Sequence, residues 1–223
     1  NSGLCNSCGQ CVAFCPAGAA RQAISGDAPL YPALQHDPAR TETVLSFLRS
    51  RRSYRTYAPE PVEHAVIERI LETADWSPTG GNNRRLRWIV VETPEKPAEL
   101  RGLIAGWFDG DARRHPVVSK RYKIDAIMSR YKRGVDVILR GAPHVVFMAG
   151  PSDHVWGPVD TGIALAYFNF AAEAFDVGCC FAGYATGAAQ GERVRAFLGV
   201  QPGETVWCAA CFGKKTIAAQ RVP

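Results

Sequence analysis

The sequence predicts an α+β domain preceded by a short, cysteine-dense segment with little core of its own. Two observations carry that expectation. Apolar runs of strand length mix with stretches of helical period, without the regular βαβ order of a doubly wound sheet. Four of the eight cysteines lie at Cys5, Cys8, Cys11 and Cys15, and the next comes only at Cys179. The division expected is a module with its linker over 1–35 and a globular domain over 36–223.

Within the linker, Gly26-Asp27-Ala28-Pro29, Pro32 and Pro38 are loop chemistry. A helix should follow, capped by Thr43 or an earlier polar residue, with Val44, Phe47 and Leu48 on one face. A second helix is expected with Pro61 in its first turn and a stripe of Val62, Ile67, Ile70, Leu71 and Ala74. Residues 88–92 and 145–149 read as buried strands. Asp160 should precede a nearly all-apolar central helix over 163–175. Residues 177–181 and 205–212 complete the strands.

Hydrophobic residues make up 47% of the 223, charged residues 21%, and the net charge is +5. That charge is too small to argue for a nucleic-acid partner. No apolar run reaches the roughly 18 residues of a membrane span. The opening residues lack a basic or apolar leader and read as a cut into a longer chain rather than a signal peptide. Cysteines bunched in this way suit metal ligation in a reducing compartment, the cytoplasm, better than a disulfide scaffold.

Cys5-x2-Cys8-x2-Cys11-x3-Cys15-Pro16 is the bacterial ferredoxin spacing. Two-residue gaps let a tight loop wrap three thiolates around one cubane, while the Cys before Pro is directed at a second cluster in two-cluster ferredoxins. A zinc site would more commonly use two separated pairs. One or two 4Fe–4S clusters are therefore expected, with Cys5, Cys8, Cys11 and Cys15 as ligands. Cys208 and Cys211 also match C-x-x-C, but on a strand they face opposite sides and read as core residues, as do Cys179 and Cys180.

Arg51-Arg52-Ser53-Tyr54-Arg55 gathers three guanidinium groups and a hydroxyl, a set suited to a phosphate monoester. A solvated helix end whose arginines complement the dipole would look the same. Followed by Tyr57 and Pro61-Val62, the segment resembles the opening Arg-Arg-Ser-x-Arg-x-aromatic motif of the nitroreductase family. Trp76-Ser77-Pro78-Thr79-Gly80-Gly81-Asn82 is similar to that family's small-residue loop. Ala142-Pro143, the helix from Asp160, Phe181-Ala182-Gly183-Tyr184 and the tail ending Arg221-Val222-Pro223 follow in the family's order.

With the cysteine motif, the chain resembles a ferredoxin-fused member. The resemblance implies a homodimer with FMN. It assigns the FMN phosphate and ribityl chain to Arg51, Arg52, Ser53 and Arg55, with Arg221 joining at the phosphate. Pro78, Thr79 and Asn82 would line the ring from the second subunit, and Ala182 and Gly183 would face N5 through backbone amides. Departures occur at Arg84, where many members have Pro, and at Lys214-Lys215 in place of Tyr-Pro. A small acceptor such as a nitroaromatic or quinone is implied, with ferredoxin or NAD(P)H as donor and no catalytic side chain. Dehalogenation, biosynthetic reduction, or pure electron transfer and redox sensing are the rivals on the same scaffold. The basic stretch from Arg113 to Arg133 reads either as an exposed helix or as a docking face for an acidic partner or anionic substrate.

Overall fold

Backbone geometry begins to organise at Gly9, whose left-handed φ of 74° opens a single helical turn, α1 (Gln10–Ala13). The computed structural model describes residues 5–20, 32–93 and 95–221. Most of the expected linker, 21–31, and the tail residues Val222 and Pro223 lie outside the described residues.

The first long helix, α2 (Pro38–Ser50), starts at Asp37, whose side chain accepts the Ala39 N–H at 3.0 Å, with Pro38 in the first turn. The cap is thus the earlier polar residue rather than Thr43. The predicted stripe does not reach the core. Val44 and Leu48 are 50% and 44% exposed, and Phe47, half-buried, meets the ring of Phe170 at 6.3 Å. In α3 (His64–Ala74) the expected stripe is buried at Ile67, Ile70 and Ala74, although Pro61 lies ahead of the helix rather than within its first turn.

Four strands form one antiparallel sheet in the order β1 (Arg87–Val91), β2 (His144–Pro151), β4 (Glu204–Lys214) and β3 (Val177–Phe181). Successive strand side chains face opposite sides, and here both faces are covered. On one side Val145 and Phe147 of β2, with Ala209 and Cys211 of β4, pack against α4 (Lys96–Asp109), α6 (Ile124–Lys132), α8 (Gly183–Ala188) and α9 (Glu192–Phe197). On the other, Val146, Met148, Ala210 and Phe212 pack against α3 and α7 (Gly157–Ala174). That is why β2 reads as an unbroken apolar run rather than an alternating one. Cys208 and Cys211 do fall on opposite faces.

Helix α7 begins earlier than the sequence suggests, so Asp160 sits inside its first turn. The register of β2 on β4 shifts between Met148 and Ala149, leaving Trp207 unpaired as a bulge. Its indole lies over Gly157, where a Cβ would come within 2.6 Å of the ring, so only glycine lets the helix start there. Among the described residues no helix is long and apolar enough to cross a membrane.

His144 is a core residue rather than a ligand. Its Nε2 accepts the Val62 N–H at 2.9 Å and its ring stacks on Phe212 at 5.0 Å. Burial holds its pKa below the usual 6.5. A depressed histidine pKa contributes stability above the unfolded value, and this is lost as pH falls through the folded one. Exposed His64 is shifted the other way by its hydrogen bond to Glu92, so its contribution, screened by solvent, is lost as pH rises. We expect the melting temperature to fall between pH 7 and pH 5, and His144→Gln to flatten that slope. An unchanged slope in the variant would assign the acid sensitivity elsewhere.

Candidate active site

The arginine segment leaves the end of α2 and runs beside the edge strand β3. Ser53 forms a parallel bridge with Cys179, and the Tyr54 N–H donates to the Cys179 carbonyl at 3.0 Å. Tyr54 is buried over Gly178, where a Cβ would lie 2.8 Å from it. Lys215 lies 4.8 Å from the Tyr54 ring centroid and pairs with Glu173 at 2.7 Å and Asp176 at 3.1 Å. It is thereby committed to the fold. Arg52 folds back on the Arg49 and Arg51 carbonyls, capping the end of α2 through one nitrogen. Arg55 donates to the Ser53 carbonyl, Arg51 is half-buried, and Arg221 is exposed in the tail after β4.

The glycine loop is held at the far end of α7. The Gly80 N–H donates to Asp160 Oδ1 at 2.9 Å, and His154 Nε2 meets Asp160 Oδ2 at 2.9 Å. His154 and Asp160 are buried, at 4% and 2% exposure. A Cβ on Gly80 would come within 2.6 Å of Trp156, and Gly81 adopts a φ of +61°. One glycine serves packing against Trp156 and the other a left-handed turn. Arg84 stitches the loop closed: its N–H donates to Thr79 Oγ1, and its side chain to Asn82 Oδ1 and the Asp75 carbonyl. Pro78 stays exposed and Thr79 half-buried, beside a cavity of about 290 Å³ that reaches Trp156, Val159 and Ile163. Asn82 Nδ2 donates to the Asn6 carbonyl at 2.9 Å, which ties this loop to the cysteine segment.

The arginine segment and the loop are therefore not neighbours within one chain. The loop sits at the start of α7 and leads into β1, while the arginine segment lies along β3 near the end of α7. Eighteen residues of helix span about 27 Å. The sheet also separates them, because β1 and β3 are its two edges.

A second cavity, of about 180 Å³, opens where β3 turns into α8, lined by Tyr122, Arg140, Cys180, Phe181, Gly183 and Tyr184 among others. Here one expectation needs correction. The Ala182 N–H already donates to the Ala209 carbonyl at 2.8 Å, extending the sheet ladder by one residue, so it cannot also face a flavin. The Gly183 N–H opens α8 and has no acceptor within its own helix. Both cavities are smaller than the ~300–1,000 Å³ of a complete small-molecule site.

The sequence did not signal Arg140, or the His154–Asp160 pair. Tyr122, from α5 (Pro116–Tyr122), comes from the basic stretch. Part of that stretch is paired locally, Arg113 with Asp109 and Asp125, Arg114 with Asp111 and Lys132 with Asp109.

All eight cysteines are free. Burial raises the thiol pKa of Cys179, Cys208 and Cys211, which makes them inert core groups. Cys5, Cys8 and Cys11 are exposed and Cys15 half-buried, so the donor set suits a cluster by chemistry and spacing. Among the described residues no three potential ligands converge on one point.

Comparison with known proteins agrees with the frame. In curated proteins, 5,6-dimethylbenzimidazole synthase from Rhodobacter capsulatus is 40% identical over 67 residues, 30% of this chain and 32% of that protein. Iodotyrosine deiodinase from Danio rerio is 31% identical over 65 residues, 29% of this chain and 22% of that one. The matches thus span a third or less of those relatives' lengths. A nitroreductase with bound FMN from Desulfitobacterium hafniense DCB-2 is 25% identical, covers 80% of this chain and 93% of that one, and superposes with a TM-score of 0.65. The FMN-bound nitroreductase from Bacteroides fragilis, 21% identical over 81% of this chain and 94% of that one, shares the fold at a TM-score of 0.65. The nitroreductase family profile matches residues 48–214, and the chain belongs to the nitroreductase family.

Proposed function

We propose that the protein is an FMN-dependent oxidoreductase that reduces a small acceptor, a nitroaromatic, a quinone or a related compound, and that it works as a homodimer. The observation that carries this reading is the arginine segment bridged to β3 through Ser53 and Cys179, just ahead of the Gly183 N–H that opens α8. Three guanidinium groups with a serine suit a phosphate, and an amide opening a helix suits a ring nitrogen that gains charge. FMN, when bound, supplies the two-electron chemistry.

The chain's own residues bind and orient. Arg51, Arg52, Ser53 and Arg55 hold the phosphate and ribityl chain, with Arg221 reaching the phosphate from the tail. Gly183 faces N5, with Ala182 supplying the sheet bond that fixes its position. Pro78, Thr79 and Asn82 come from the second copy, because in their own chain they lie at the other end of α7. No side chain is assigned a proton transfer. Arg51→Ala and Arg55→Ala should each weaken FMN binding by about 1.5–3 kcal/mol, the size of one charge-assisted hydrogen bond. Wild-type affinity in fluorescence titrations of both variants would remove the phosphate assignment.

The cysteine segment supports a finer reading of the donor side. We infer that Cys5, Cys8, Cys11 and Cys15 hold iron–sulfur, one cluster or a share of two, in a reducing cytoplasm. The observation that favours it is the Asn82–Asn6 hydrogen bond, which seats this segment on the loop proposed to cover the flavin of the partner. Such a cluster, when bound, supplies single-electron delivery from ferredoxin in place of, or beside, NAD(P)H. Cys8→Ala should lower iron and sulfide content and abolish FMN reduction by reduced ferredoxin, while FMN stays bound and chemically reduced FMN is still oxidised by a quinone. Equal rates of ferredoxin-driven reduction in variant and wild type would make the segment structural.

A further inference from the structure

One charged side chain lines the cavity beside Gly183, and its backbone is held in an unfavourable conformation to bring it there. Arg140 has a φ of +62°, a region that residues with a side chain rarely adopt, and Gly141 follows at +68°. The strain is imposed by Asp136. Its carboxylate accepts the N–H groups of Ile138, Leu139 and Gly141 at 2.9–3.0 Å and the Arg101 guanidinium at 3.2 Å. Burial alone would push the Asp136 pKa up, but those donors outweigh it and hold the carboxylate ionised. Such a crimp fixes residues 136–141 as a rigid turn. Glycine would fit position 140 without strain, so the arginine there points to a role for its side chain.

That role is not an internal ion pair. Arg87 pairs with Glu204, Arg101 with Asp136 and Arg113 with Asp109 and Asp125. Among the described residues Arg140, half-buried, has no carboxylate partner and no hydrogen-bond acceptor. Two ionisable groups that feel its charge, the Tyr57 hydroxyl and the Cys211 thiol, are held neutral by burial. Arg140 is therefore the one formal charge among the described residues on the cavity wall. The wall opposite is aromatic and already packed. Tyr122 and Tyr184 lie 6.1 Å apart between centroids, Phe108 stands edge-on to both, and the Tyr122 hydroxyl rests on the backbone at Gly187.

We propose that Arg140 holds the carboxylate of an aromatic acid bound in this cavity, so that the acceptor is an anionic aromatic compound rather than a neutral one. A planar guanidinium matches a carboxylate with two parallel hydrogen bonds, and flat aromatic walls match a flat ring. The inference deepens the proposed reading of Gly183 as the amide that faces the flavin N5, which places the acceptor in this cavity, and rests on it. Any anionic group on FMN itself is the alternative source of negative charge, and the test separates the two.

Calorimetric titration of the FMN-bound dimer with 4-nitrobenzoate and with nitrobenzene, in wild type and Arg140→Gln, measures the point directly. The expected result is a loss of roughly 10- to 100-fold in 4-nitrobenzoate affinity in the variant, with nitrobenzene and FMN binding unchanged. Arg140→Gly should lose the same binding while melting at a higher temperature, because the left-handed backbone is relieved; this keeps lost binding distinct from lost folding. An equal loss for both aromatics, or a fall in FMN affinity, would overturn the proposal and give Arg140 to the flavin. The same titration on flavin-free protein shows whether the acid site survives if FMN binding itself fails, which tells failure of the acceptor inference from failure of the flavoenzyme reading.

Discussion

Asp160→Ala should lower the unfolding free energy by about 3–5 kcal/mol, among the largest effects expected of any single substitution in the chain. One carboxylate, 2% exposed, serves two donors: the Gly80 N–H and His154 Nε2, each at 2.9 Å. Alanine would leave both without that partner, the histidine in a buried site, and an orphaned buried group costs about 1–3 kcal/mol. The glycine loop would then lose its anchor to α7, so FMN binding should fall along with stability. Asp160→Asn retains an acceptor for Gly80 and should recover part of each loss. Urea denaturation gives the first quantity and flavin titration the second. A stability change below about 1 kcal/mol would show that the pair is not the loop's fastening.

The second large effect concerns which chain completes the site. Combining Arg51→Ala with Arg55→Ala should weaken FMN binding roughly 100-fold or more if the two contacts add. Pro78→Glu, on an exposed loop position, should weaken it by setting a charge against the ring without disturbing the core. A mixed dimer of one double-arginine variant and one Pro78→Glu variant then discriminates between two arrangements. If each site takes its arginines from one chain and its loop from the other, both lesions fall in one site and the second site is intact. Half the wild-type flavin occupancy should return. A mixed dimer as empty as its parents would show that each chain builds its site alone.

Much of the fold was legible because period decides it. The stripe of Ile67, Ile70 and Ala74 could only be a helix face, and the unbroken run at 145–149 a strand covered on both sides. The stripe of Val44, Phe47 and Leu48 was equally periodic, yet it stays at the surface. Period says that a face is apolar, not which surface it meets, and an apolar helix left uncovered beside Phe170 is what a second copy would bury. Site residues divided along the same line. Local motifs, the 51–55 segment and the 78–82 loop, were visible as short strings. The Asp160 carboxylate is joined to Gly80 by a bond between residues 80 positions apart, which no window of sequence displays. Ala182 and Gly183 were assigned as equivalent amides. One further bond of the sheet ladder, to Ala209, makes them different. Arg140 is the hardest case: its cue is the carboxylate of Asp136 ahead of Arg140-Gly141, and only the folded turn reveals that these form a crimp. By contrast, Asp109 and Arg113 stand four apart in sequence, a spacing close enough to have signalled that part of the basic stretch is already paired.

In the function proposed above, two copies of this chain hold FMN between them. Measuring flavin released per polypeptide, together with the mass in solution by light scattering, tests it most directly. We expect one FMN per chain after reconstitution, in a particle of twice the 24.3 kDa chain mass, with occupancy falling as dilution drives dissociation. A monomer carrying a full complement of FMN, or a dimer that takes up none, would contradict it.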